Sequence, residues 1–576
     1  MKIVIVGGVA GGASAAARAR RLSEQADIVV LERDHYVSFA NCGLPYHIGG
    51  TIKEREKLLL QTPKSLNESL DIDVRVGHEV VEVDRENKQV AVVELDSGRR
   101  YTERYDKLVL CPGANAVRPP IPGIDHPKIF VLRNIPDMDA IKTVVDGGAQ
   151  SAVVVGGGFI GIEVAEAFRE RGLTVDLVEL QEQLMPPIDP EMACDLAYHM
   201  ESHGVSLHLG TGAETFEDTA GRVAVTLGNG ESLAADLVVL AIGVRPAAAL
   251  AKQAGLELGP RGGVKVDCHM RTSDPDIYAA GDAVEVIDTV TAEPTLIPLA
   301  GPANRQGRIV ADHIFGRASA YQSTQGTAVV KVFDMTCGST GASEKTLCRL
   351  GRAYRKIYIH PSGHAGYYPG TAPMHLKLLF SPEDGKVLGV QVVGYDGIDK
   401  RVDVLATAIR AGLTVYDLER LELAYAPPYG SAKDPVNMAG FVASNLLRGD
   451  VKFWYAEQYP EIAEQGIVID VRTRQEYDKW HIPGALNIPL RALRERIGEI
   501  PDEGSVLLYC RVGFRSYLAY RILCQSGFEQ AAVLAGGSKT FNCYHRTVLA
   551  TGKPGVPFVA HAEEEMAEMP EALDHA

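Results

Sequence analysis

The sequence lacks any apolar run of the roughly 20 residues needed to cross a bilayer, and its first residues, MKIVIVGG, lead directly into a strand without a signal-peptide pattern. It also lacks a C-x-x-C pair, and its nine cysteines show no pairing pattern. These absences argue against a membrane protein, a disulfide framework and a structural zinc site. We therefore expect reduced thiols, a cytoplasmic location, no membrane contact and no bound metal.

An excess of positive charge is also missing. The 576 residues carry a formal net charge of −16, whereas a general nucleic-acid-binding protein has a basic surface. Hydrophobic residues make up 46% and charged residues 23% of the chain, which is ordinary for a globular protein with several domains. We therefore expect small-molecule substrates and no nucleic-acid partner.

The amino-terminal segment predicts a dinucleotide-binding fold. A buried strand at residues 2–6 is followed by a glycine-rich turn, an alanine-rich helix to about Gln25 and a second strand, residues 28–32. The turn reads Gly7-Gly-Val9-Ala-Gly-Gly12, with valine where the middle glycine usually lies, so the motif alone is imperfect. Glu32, at the end of the second strand, can accept hydrogen bonds from a ribose.

The same pattern recurs at residues 152–179, and there the motif is complete. Gly156 permits the tight turn, Gly158 lets the backbone approach a pyrophosphate, and Gly161 lets the helix pack closely. Glu179 ends the following strand, where a carboxylate binds ribose hydroxyls and repels a 2′-phosphate. The sequence therefore predicts two dinucleotide folds, one inserted in the other, and NADH in preference to NADPH.

On the strength of these motifs, residues 1–447 resemble the pyridine nucleotide-disulfide oxidoreductase family. The resemblance implies FAD, NAD and α+β dimerisation domains and a homodimer. The segments YDKLVLCPGA and IYAAGDA match returns to the FAD fold, and Asp282 in the latter matches a ribityl-binding residue. The implied FAD contacts are Gly7, Ala10, Gly11, Glu32, Arg33, Asn41, Val80, Gly113, Asp282, Pro298 and Ala300. The implied NAD contacts are Gly156, Gly158, Phe159, Ile160, Glu163, Glu179 and Gly243.

The redox cysteine of this family corresponds to Cys42, in the segment SFANCGLPY. Two-cysteine members have C-x4-C here, whereas this chain has His47 at the second position, so the internal disulfide is absent. We expect Cys42 to cycle between a thiolate and a mixed disulfide, persulfide or sulfenate, with a nearby flavin and a helix terminus lowering its pKa. Related NADH peroxidases and oxidases place a histidine in the first glycine loop, where this chain has Ala10.

The segment FANCGLPY is most similar to that of coenzyme A-disulfide reductases. In that family two tyrosines of the partner subunit's dimerisation domain reach the active cysteine, and the matching residues here are Tyr425 and either Tyr367 or Tyr368, of which we favour Tyr367. A phenol can protonate a leaving thiolate. The resemblance implies CoA contacts at Ser14, Arg18, Arg21, Ser38, Asn41, Asn304 and Lys433, and Arg20 adds positive charge to the same helix.

A second reactive cysteine, Cys510, lies in a segment that resembles a single rhodanese domain. The markers are IVIDVRTRQEYDKWHIPGALNIPL and VLLYCRVGFRS. Cys510 opens a loop that contains Arg511, Gly513 and Arg515 and leads into a helix, so backbone N–H groups and the helix dipole can stabilise a thiolate or a persulfide. The C-x4-R spacing favours sulfur transfer over the C-x5-R phosphatase loop. The other seven cysteines have no motif and are interpreted as structural.

The predicted fold class is α/β, with two Rossmann-like domains, an α+β dimerisation domain and a rhodanese α/β domain. The predicted boundaries are 1–115 and 250–326 for FAD binding, 116–249 for NAD binding, 327–447 for dimerisation, 448–466 for a linker, 467–555 for the rhodanese domain and 556–576 for an acidic tail.

The expected function is NADH-dependent reduction of persulfides, polysulfides, CoA persulfide or CoA disulfide, with FAD, NADH and CoA bound. Sulfane sulfur would pass from Cys510 to Cys42 directly or through CoA. One alternative is an NADH oxidase or peroxidase that uses a Cys42 sulfenate. The other is a sulfur carrier or redox sensor that does not turn over.

Overall fold

The computed structural model describes residues 1–501 and 504–550, so the predicted acidic tail and residues 551–555 lie outside the described residues. The described chain forms two compact units. The first comprises residues 1–178, 204–206 and 212–326, and the second comprises residues 179–203, 207–211 and the described residues from 327 to 550. No helix in the described ranges is long and apolar enough to cross a lipid bilayer.

The first unit begins with the predicted strand, helix and strand. Val, Ile and Leu form near-continuous runs in β1 and β2 because parallel strands are buried on both faces. The elements through residue 116 are β1 (Lys2–Val6), α1 (Ala10–Leu22), β2 (Asp27–Glu32), α2 (Leu44–Gly49), α3 (Pro63–Leu70), β3 (Asp73–Val76), β4 (His78–Asp84), β5 (Gln89–Glu94), β6 (Arg100–Arg104), β7 (Lys107–Leu110) and β8 (Ala114–Ala116).

A second strand–helix–strand motif follows, and it begins within the first unit. Its elements are β9 (Ile129–Val131), α4 (Ile135–Asp146), β10 (Ser151–Val155), α5 (Phe159–Glu170), β11 (Thr174–Glu179), α6 (Pro190–Ser202), β12 (Val205–Leu209), β13 (Ala213–Thr219), β14 (Arg222–Leu227), β15 (Ser232–Ala235), β16 (Leu237–Leu240), β17 (Val244–Pro246) and α7 (Ala249–Gln253). The central sheet has the order β12-β11-β10-β16-β9.

The chain then returns to the first sheet through β18 (Val264–Lys265), β19 (Ile277–Ala279), β20 (Val284–Ile287), β21 (Pro294–Thr295) and α8 (Ala300–Ile314). The completed parallel sheet has the order β19-β7-β1-β2-β3. Because β19 pairs with β7, the predicted return of the IYAAGDA segment to this fold is seen directly. One dinucleotide fold is therefore inserted in the other.

The second unit contains a five-stranded antiparallel sheet with the order β22-β23-β26-β25-β24. Its elements are β22 (Ala328–Val332), β23 (Met335–Gly341), α9 (Glu344–Arg349), β24 (Arg355–Ile359), β25 (Met374–Phe380), β26 (Val387–Gly394), α10 (Ile398–Ala411), α11 (Val415–Leu418) and α12 (Pro435–Arg448). The sequence predicts one strand at VVKVFDM, but the structure turns there. Phe333 adopts a positive φ of 54°, and β22 pairs back onto β23 as a hairpin.

A parallel sheet with the order β27-β31-β30-β28-β29 follows in the same unit. Its elements are β27 (Phe453–Trp454), β28 (Gly466–Asp470), α13 (Arg474–Lys479), β29 (Leu486–Asn487), β30 (Ser505–Tyr509), α14 (Phe514–Gln525), β31 (Ala531–Leu534) and α15 (Gly537–Ala550). The predicted linker, residues 448–466, is more than a connection. It supplies the edge strand β27, because the buried Trp454 packs into this core.

One buried ammonium group joins the parts of the second unit. The Lys377 Nζ on β25 lies 2.9 Å from Asp189, 2.5 Å from Glu191 and 2.5 Å from Glu344. Burial opposes its charged form, but these carboxylates hold the pKa of Lys377 well above its usual range. Asp189 and Glu191 lie at the start of α6, so helix α6, predicted within the NAD-binding domain, packs with the dimerisation sheet.

We expect Lys377→Met to lower the free energy of unfolding by about 3–5 kcal/mol, because the buried carboxylates of Asp189 and Glu191 and the part-buried Glu344 would lose their common cation. The measurement is the loss of secondary structure in urea, followed by circular dichroism. Lys265→Met is the matched control, since its pair with Glu257 is 65% and 61% exposed and should contribute less than about 1 kcal/mol. Equal midpoints for the two variants would contradict this assignment.

Candidate active site

Three glycines bring the backbone into the close approach that a dinucleotide requires. Gly7 has a φ of +94°, and a Cβ there would lie 2.1 Å from the Cys111 carbonyl oxygen. A Cβ on Gly12 would lie 1.8 Å from the Gly7 oxygen. A Cβ on Gly307 of α8 would lie 2.2 Å from the Gly11 oxygen. The valine in the first motif is therefore tolerated because the positions that need glycine still have it.

The predicted ribose ligand Glu32 also organises the glycine turn. Its two carboxylate oxygens accept hydrogen bonds from the backbone N–H groups of Gly8 (2.7 Å) and Asp34 (2.9 Å). Burial raises the pKa of Glu32, and burial likewise raises that of Asp282. The carboxylates retain lone pairs for further donors, which fits hydroxyl groups of FAD beside the carboxyl ends of β2 and β19.

The other positions implied for FAD are distributed over the same unit. Ala10 and Gly11 begin α1, Val80 is in β4, Gly113 has a φ of +70° between β7 and β8, and Pro298 and Ala300 lie at the start of α8. The Arg33 guanidinium lies 3.7 Å from Glu79. Asn41 Nδ2 donates to the Arg133 carbonyl oxygen over 3.4 Å.

Sequence reasoning missed Arg133. Its guanidinium donates to the Pro112 carbonyl oxygen and to Asn115, each at 3.2 Å. Burial lowers the pKa of Arg133, while its charge opposes the raised pKa of both Glu32 and Asp282. Arg133 is thus the cation that balances the two acids of the predicted FAD site. It precedes α4 and has no motif.

The second glycine motif has the geometry expected of a pyrophosphate cradle. Gly156 has a φ of +112°, and a Cβ on Gly161 would lie 1.8 Å from the Gly156 oxygen. A Cβ on Gly158 would meet no described atom within 4 Å, so this position faces open space at the start of α5. Phe159 and Ile160 are the first residues of α5, and Gly243, with a φ of +104°, precedes β17.

The predicted ribose ligand of this fold, Glu179, is the last residue of β11. It belongs to the second unit, and its carboxylate accepts a hydrogen bond from the Gln181 N–H at 2.7 Å. The carboxylate is therefore oriented by the loop that follows the strand. This arrangement parallels that of Glu32 after β2.

Cys42 lies in a single 3-10 turn, Asn41–Gly43, directly before α2, and part of the residue is exposed. Loss of water around the sulfur nevertheless raises the pKa of the Cys42 thiol, and the carboxylates of Glu163 and Asp282 raise it further. The expected lowering by a helix terminus is therefore wrong for the protein groups alone. Burial is the largest cause of the raised pKa of Cys42, and the helix that follows the cysteine has only six residues.

Glu163 faces Cys42 from α5, the helix that begins at the second glycine motif. The Tyr46 hydroxyl donates to Glu163 Oε1 at 3.3 Å. Burial raises the pKa of Glu163 to about 7, and burial together with Glu163 raises the pKa of Tyr46. A group that is half protonated near neutrality can supply a proton beside the thiol. Sequence reasoning assigned Glu163 to NAD and missed Tyr46.

No second thiol stands at the position of the missing disulfide partner. His47 is buried, and its Nδ1 lies 2.7 Å from the Ile52 carbonyl oxygen. Because a carbonyl oxygen only accepts, Nδ1 carries the proton and the ring is fixed against the backbone. Within the described chain, Cys42 is a free cysteine.

The structure brings two of the predicted tyrosines together. The hydroxyl groups of Tyr367 and Tyr425 are 2.8 Å apart, and both side chains are exposed. Tyr368 instead packs edge to face against His364 at 5.6 Å. Tyr367, and not Tyr368, is therefore paired with Tyr425, and its role at the Cys42 site stays a prediction.

The positions implied for CoA include several that already have protein partners. Ser14 donates to Asn304 over 2.6 Å, and the Arg18 guanidinium lies 2.6 Å from Asp312. The buried Arg20 donates to four backbone carbonyl oxygens and is unsuited to bind a phosphate. Arg21 remains exposed on α1. Ser38 has a φ of 45° and Lys433 is exposed in the second unit.

The Cys510 loop directs two hydrogen-bond donors at the sulfur, and the predicted anion cradle stays a prediction. Cys510 follows β30 and is buried, and its Sγ accepts hydrogen bonds from the Gly513 N–H (3.1 Å) and the Ser516 hydroxyl (3.4 Å). Gly513 caps α14 with a φ of +105°. Donors that converge on a sulfur stabilise its anionic forms. Ser516 is a further residue that sequence reasoning did not single out.

The guanidinium of Arg515 forms an ion pair with Glu476, which lies in the segment IVIDVRTRQEYDKWHIPGALNIPL. Its two terminal nitrogens bind the two oxygens of Glu476 at 2.7 and 2.8 Å. Burial opposes ionisation of Glu476, but the hydrogen bonds from Arg515 and Thr473 lower the pKa of its carboxyl to about 2. Arg515 therefore orients the loop, whereas Arg511 follows the cysteine directly and its carbonyl oxygen accepts from the Lys539 N–H.

Comparisons with known proteins agree with this geometry. Residues 1–307 match the pyridine nucleotide-disulphide oxidoreductase family, residues 327–435 match its dimerisation domain, and residues 455–542 match the rhodanese-like domain. The coenzyme A disulfide reductase of Staphylococcus haemolyticus (strain JCSC1435) is 36% identical over 447 residues, which cover 77% of this chain and 100% of that protein.

Two solved structures are similar over almost the whole chain. The structure of reduced Bacillus anthracis CoADR-RHD is 47% identical with a TM-score of 0.93 and covers 97% of this chain and 99% of its own. The structure of a NAD-dependent persulfide reductase from A. fulgidus is 36% identical with a TM-score of 0.89. The match covers 94% of this chain and 100% of the other. The predicted fold class and family are confirmed. The chain belongs to the pyridine nucleotide-disulphide oxidoreductase family and carries a rhodanese-like domain after its dimerisation domain.

Proposed function

We propose that the protein is an NADH-dependent flavoprotein reductase of persulfides, polysulfides and CoA persulfide or CoA disulfide. For a persulfide the net reaction is NADH + H⁺ + R–S–SH → NAD⁺ + R–SH + H₂S. The observation that carries this proposal is the accessible Cys42 thiol, with His47 where a disulfide partner would stand. A lone thiol needs a sulfur partner from the substrate.

The residues around the two glycine motifs fit the cofactors that the family implies, FAD and NAD(H). The close approaches at Gly7 and Gly156 and the oriented acids Glu32 and Glu179 support two dinucleotide sites. A carboxylate at Glu179 favours NADH over NADPH. Bound FAD would supply the two-electron link between NADH and the thiol.

In the proposed reaction, the Cys42 thiolate attacks the inner sulfur of R–S–SH. A Cys42–S–S–R bond forms, the S–SH bond breaks, and HS⁻ leaves. The Glu163–Tyr46 pair beside the thiol supplies a proton to the leaving group, because Glu163 holds a proton near neutral pH. Two electrons from NADH then cleave the mixed disulfide and return both sulfurs as thiolates.

The CoA part of the proposal rests on the exposed tyrosine pair and the cations of α1. The match to a dimerisation domain supports a homodimer, in which Tyr367 and Tyr425 of one subunit would serve the Cys42 site of the other. Arg21 is exposed and suited to a phosphate, whereas Arg18 would first have to share or release Asp312.

Cys510 is proposed to carry sulfane sulfur. The donors from Gly513 and Ser516 favour both the thiolate and its persulfide, which are anions. Transfer proceeds when an acceptor thiolate attacks the outer sulfur and Cys510 leaves as a thiolate. The acceptor thiol is CoA or a small thiol, and its persulfide is then a substrate for Cys42.

We expect Cys42→Ser to lower persulfide-dependent NADH oxidation by about three orders of magnitude or more, since no other thiol replaces the nucleophile. Steady-state assays with CoA persulfide, polysulfide, CoA disulfide and oxygen in parallel measure this. Cys268→Ser, at an exposed cysteine without a motif, is the control. Cys510→Ser should retain reduction of preformed persulfides and lose sulfur transfer. Full persulfide reduction by Cys42→Ser would refute the mechanism, and turnover with oxygen alone would favour an oxidase.

We expect Glu163→Gln to shift alkylation of Cys42 to lower pH. Ionised Glu163 raises the pKa of the thiol, so an uncharged amide of the same shape makes the thiolate easier to form. The titration of the Cys42 thiol is followed by the rate of iodoacetamide labelling of its peptide, measured by mass spectrometry. The measurements cover about pH 6–10, a range that includes the ordinary thiol pKa. Glu170→Gln, on the exposed end of the same helix, should leave the profile unchanged. An unchanged profile in Glu163→Gln would show that the acid does not act on the thiol.

We expect Tyr425→Phe to lower kcat for CoA disulfide by about tenfold or more, with a smaller change in KM, because loss of the hydroxyl removes a donor to the leaving thiolate. Tyr429→Phe is the matched control on the same loop, where the ring is 73% exposed. Steady-state kinetics on both variants provide the comparison. Equal kcat values would assign the Tyr367–Tyr425 pair a structural role.

A further inference from the structure

The first turn of helix α15 holds the backbone of the Cys510 loop. The Ser538 N–H donates to the Cys510 carbonyl oxygen at 2.8 Å. The Lys539 N–H donates to the Arg511 carbonyl oxygen at 3.1 Å. The approach is close, because a Cβ on Gly537 would lie 2.5 Å from the Arg511 oxygen and 2.6 Å from the Cys510 oxygen. A shift of this turn would therefore move the loop that carries the reactive sulfur.

The same turn contacts the dimerisation sheet through one buried hydroxyl group. Thr540 is 3% exposed, and its Oγ1 lies 3.0 Å from Nε2 of His360 and 3.2 Å from Nε2 of His375. His360 directly follows β24, and His375 lies in β25. A Cβ on Gly536 would lie 2.2 Å from Thr540 Oγ1 and 2.9 Å from Tyr358 Cβ, so the chain enters α15 close against β24. The hydroxyl group thus joins two strands of that sheet to α15.

The protons of this contact follow from its neighbours. Burial opposes ionisation of Asp195, but the charge of Lys539 and a hydrogen bond from His375 lower the pKa of Asp195 to about 2, so the carboxylate only accepts. Its Oδ2 lies 2.9 Å from His375 Nδ1, which therefore carries the proton. Burial lowers the pKa of His375, so the ring is neutral near neutral pH and its Nε2 accepts from the Thr540 hydroxyl. Thr540 Oγ1 then accepts from His360 Nε2.

We propose that Thr540, held by His360 and His375, positions the Cys510 loop for sulfur transfer, which rests on the proposed carrier role of Cys510. The two hydrogen-bond donors at the Cys510 sulfur come from the same loop and the helix after it, so a moved loop no longer presents both. The dimerisation sheet thereby sets the geometry of a sulfur that belongs to the rhodanese-like domain. Thr540 and the two histidines are positioning residues, because they act through the backbone of the loop.

Transfer by Cys510 is followed with thiosulfate as sulfur donor and cyanide as acceptor. The Cys510 thiolate attacks the outer sulfur of thiosulfate, the S–S bond breaks, sulfite leaves with the electron pair, and a Cys510 persulfide forms. Cyanide then attacks the outer sulfur of the persulfide, so thiocyanate forms and Cys510 leaves as a thiolate. The net reaction is S₂O₃²⁻ + CN⁻ → SO₃²⁻ + SCN⁻. It consumes no NADH, so the assay is separate from reduction at Cys42.

We expect Thr540→Val, in the full-length FAD-loaded protein, to lower kcat/KM for thiocyanate formation by about tenfold or more, because the sulfur and its donors are misplaced. Thr540→Ser keeps the hydroxyl group and should restore most of the rate. His360→Phe removes a donor that lies outside the rhodanese-like domain, and it should lower the rate even if Thr540→Val fails to fold. Hydrogen–deuterium exchange of the peptide that contains Ser538 and Lys539 should be faster in Thr540→Val.

Thr547→Val is the matched control on α15, where the hydroxyl donates to the Cys543 carbonyl oxygen of its own helix at 3.0 Å. It should form thiocyanate and exchange amide hydrogens as the unchanged protein does. All variants should retain NADH-dependent reduction of preformed CoA persulfide. Unchanged thiocyanate formation in Thr540→Val, no rescue by Thr540→Ser, or an equal loss of persulfide reduction would each overturn the proposal.

The exchange measurement separates this proposal from the carrier role on which it rests. An unchanged protein that forms no thiocyanate would refute the carrier role of Cys510. Exchange at Ser538 and Lys539 that is the same in Thr540→Val and the unchanged protein would refute the positioning of the loop by Thr540, whether or not sulfur is transferred.

Discussion

The packing of the second unit depends on the ion pairs of one buried group, the Lys377 ammonium. It holds acids from the start of α6 and from α9 on one strand of the dimerisation sheet. Lys356 on β24 continues the network to Glu457 of the segment before the rhodanese sheet, at 2.6 Å. Thr540 of α15 then bonds both His360 and His375 at 3.0 and 3.2 Å. The rhodanese domain is therefore packed on the dimerisation sheet through buried polar contacts and is held there as part of one compact unit.

The two reactive cysteines have opposite surroundings, and this supports a division of work. Hydrogen-bond donors converge on Cys510, which suits a sulfur that must remain anionic while it stores sulfane sulfur. Burial of the sulfur, together with the carboxylates of Glu163 and Asp282, raises the pKa of the Cys42 thiol. The raised pKa lowers the fraction of Cys42 that is present as thiolate. The same surroundings contain a proton source, because Glu163 is half protonated near pH 7. A reductase that releases hydrosulfide needs such a proton, whereas a sulfur carrier does not.

The sequence predicts well those features whose residues lie close together along the chain. The glycine motifs and the Cys510 loop are read correctly because each is a strand, turn and helix with its special residues in one segment. The missed features join distant segments. Tyr46 and Glu163 are 117 residues apart, and the Glu476–Arg515 pair is separated by 39. The segment VVKVFDM predicts one strand because Phe-Asp lacks the Asn-Gly signal of a two-residue turn, although Phe333 adopts the positive φ.

Helix α5 connects the nucleotide and the thiol. Its amino end begins at Gly158, where the open space lies for a pyrophosphate, and Glu163 follows little more than one turn later. The same helix therefore begins at the second glycine motif and carries an acid that, in addition to burial, raises the pKa of the Cys42 thiol. The proposed nucleotide site and the surroundings of the Cys42 thiol therefore share one structural element, because Glu163 on α5 accepts the hydrogen bond from Tyr46.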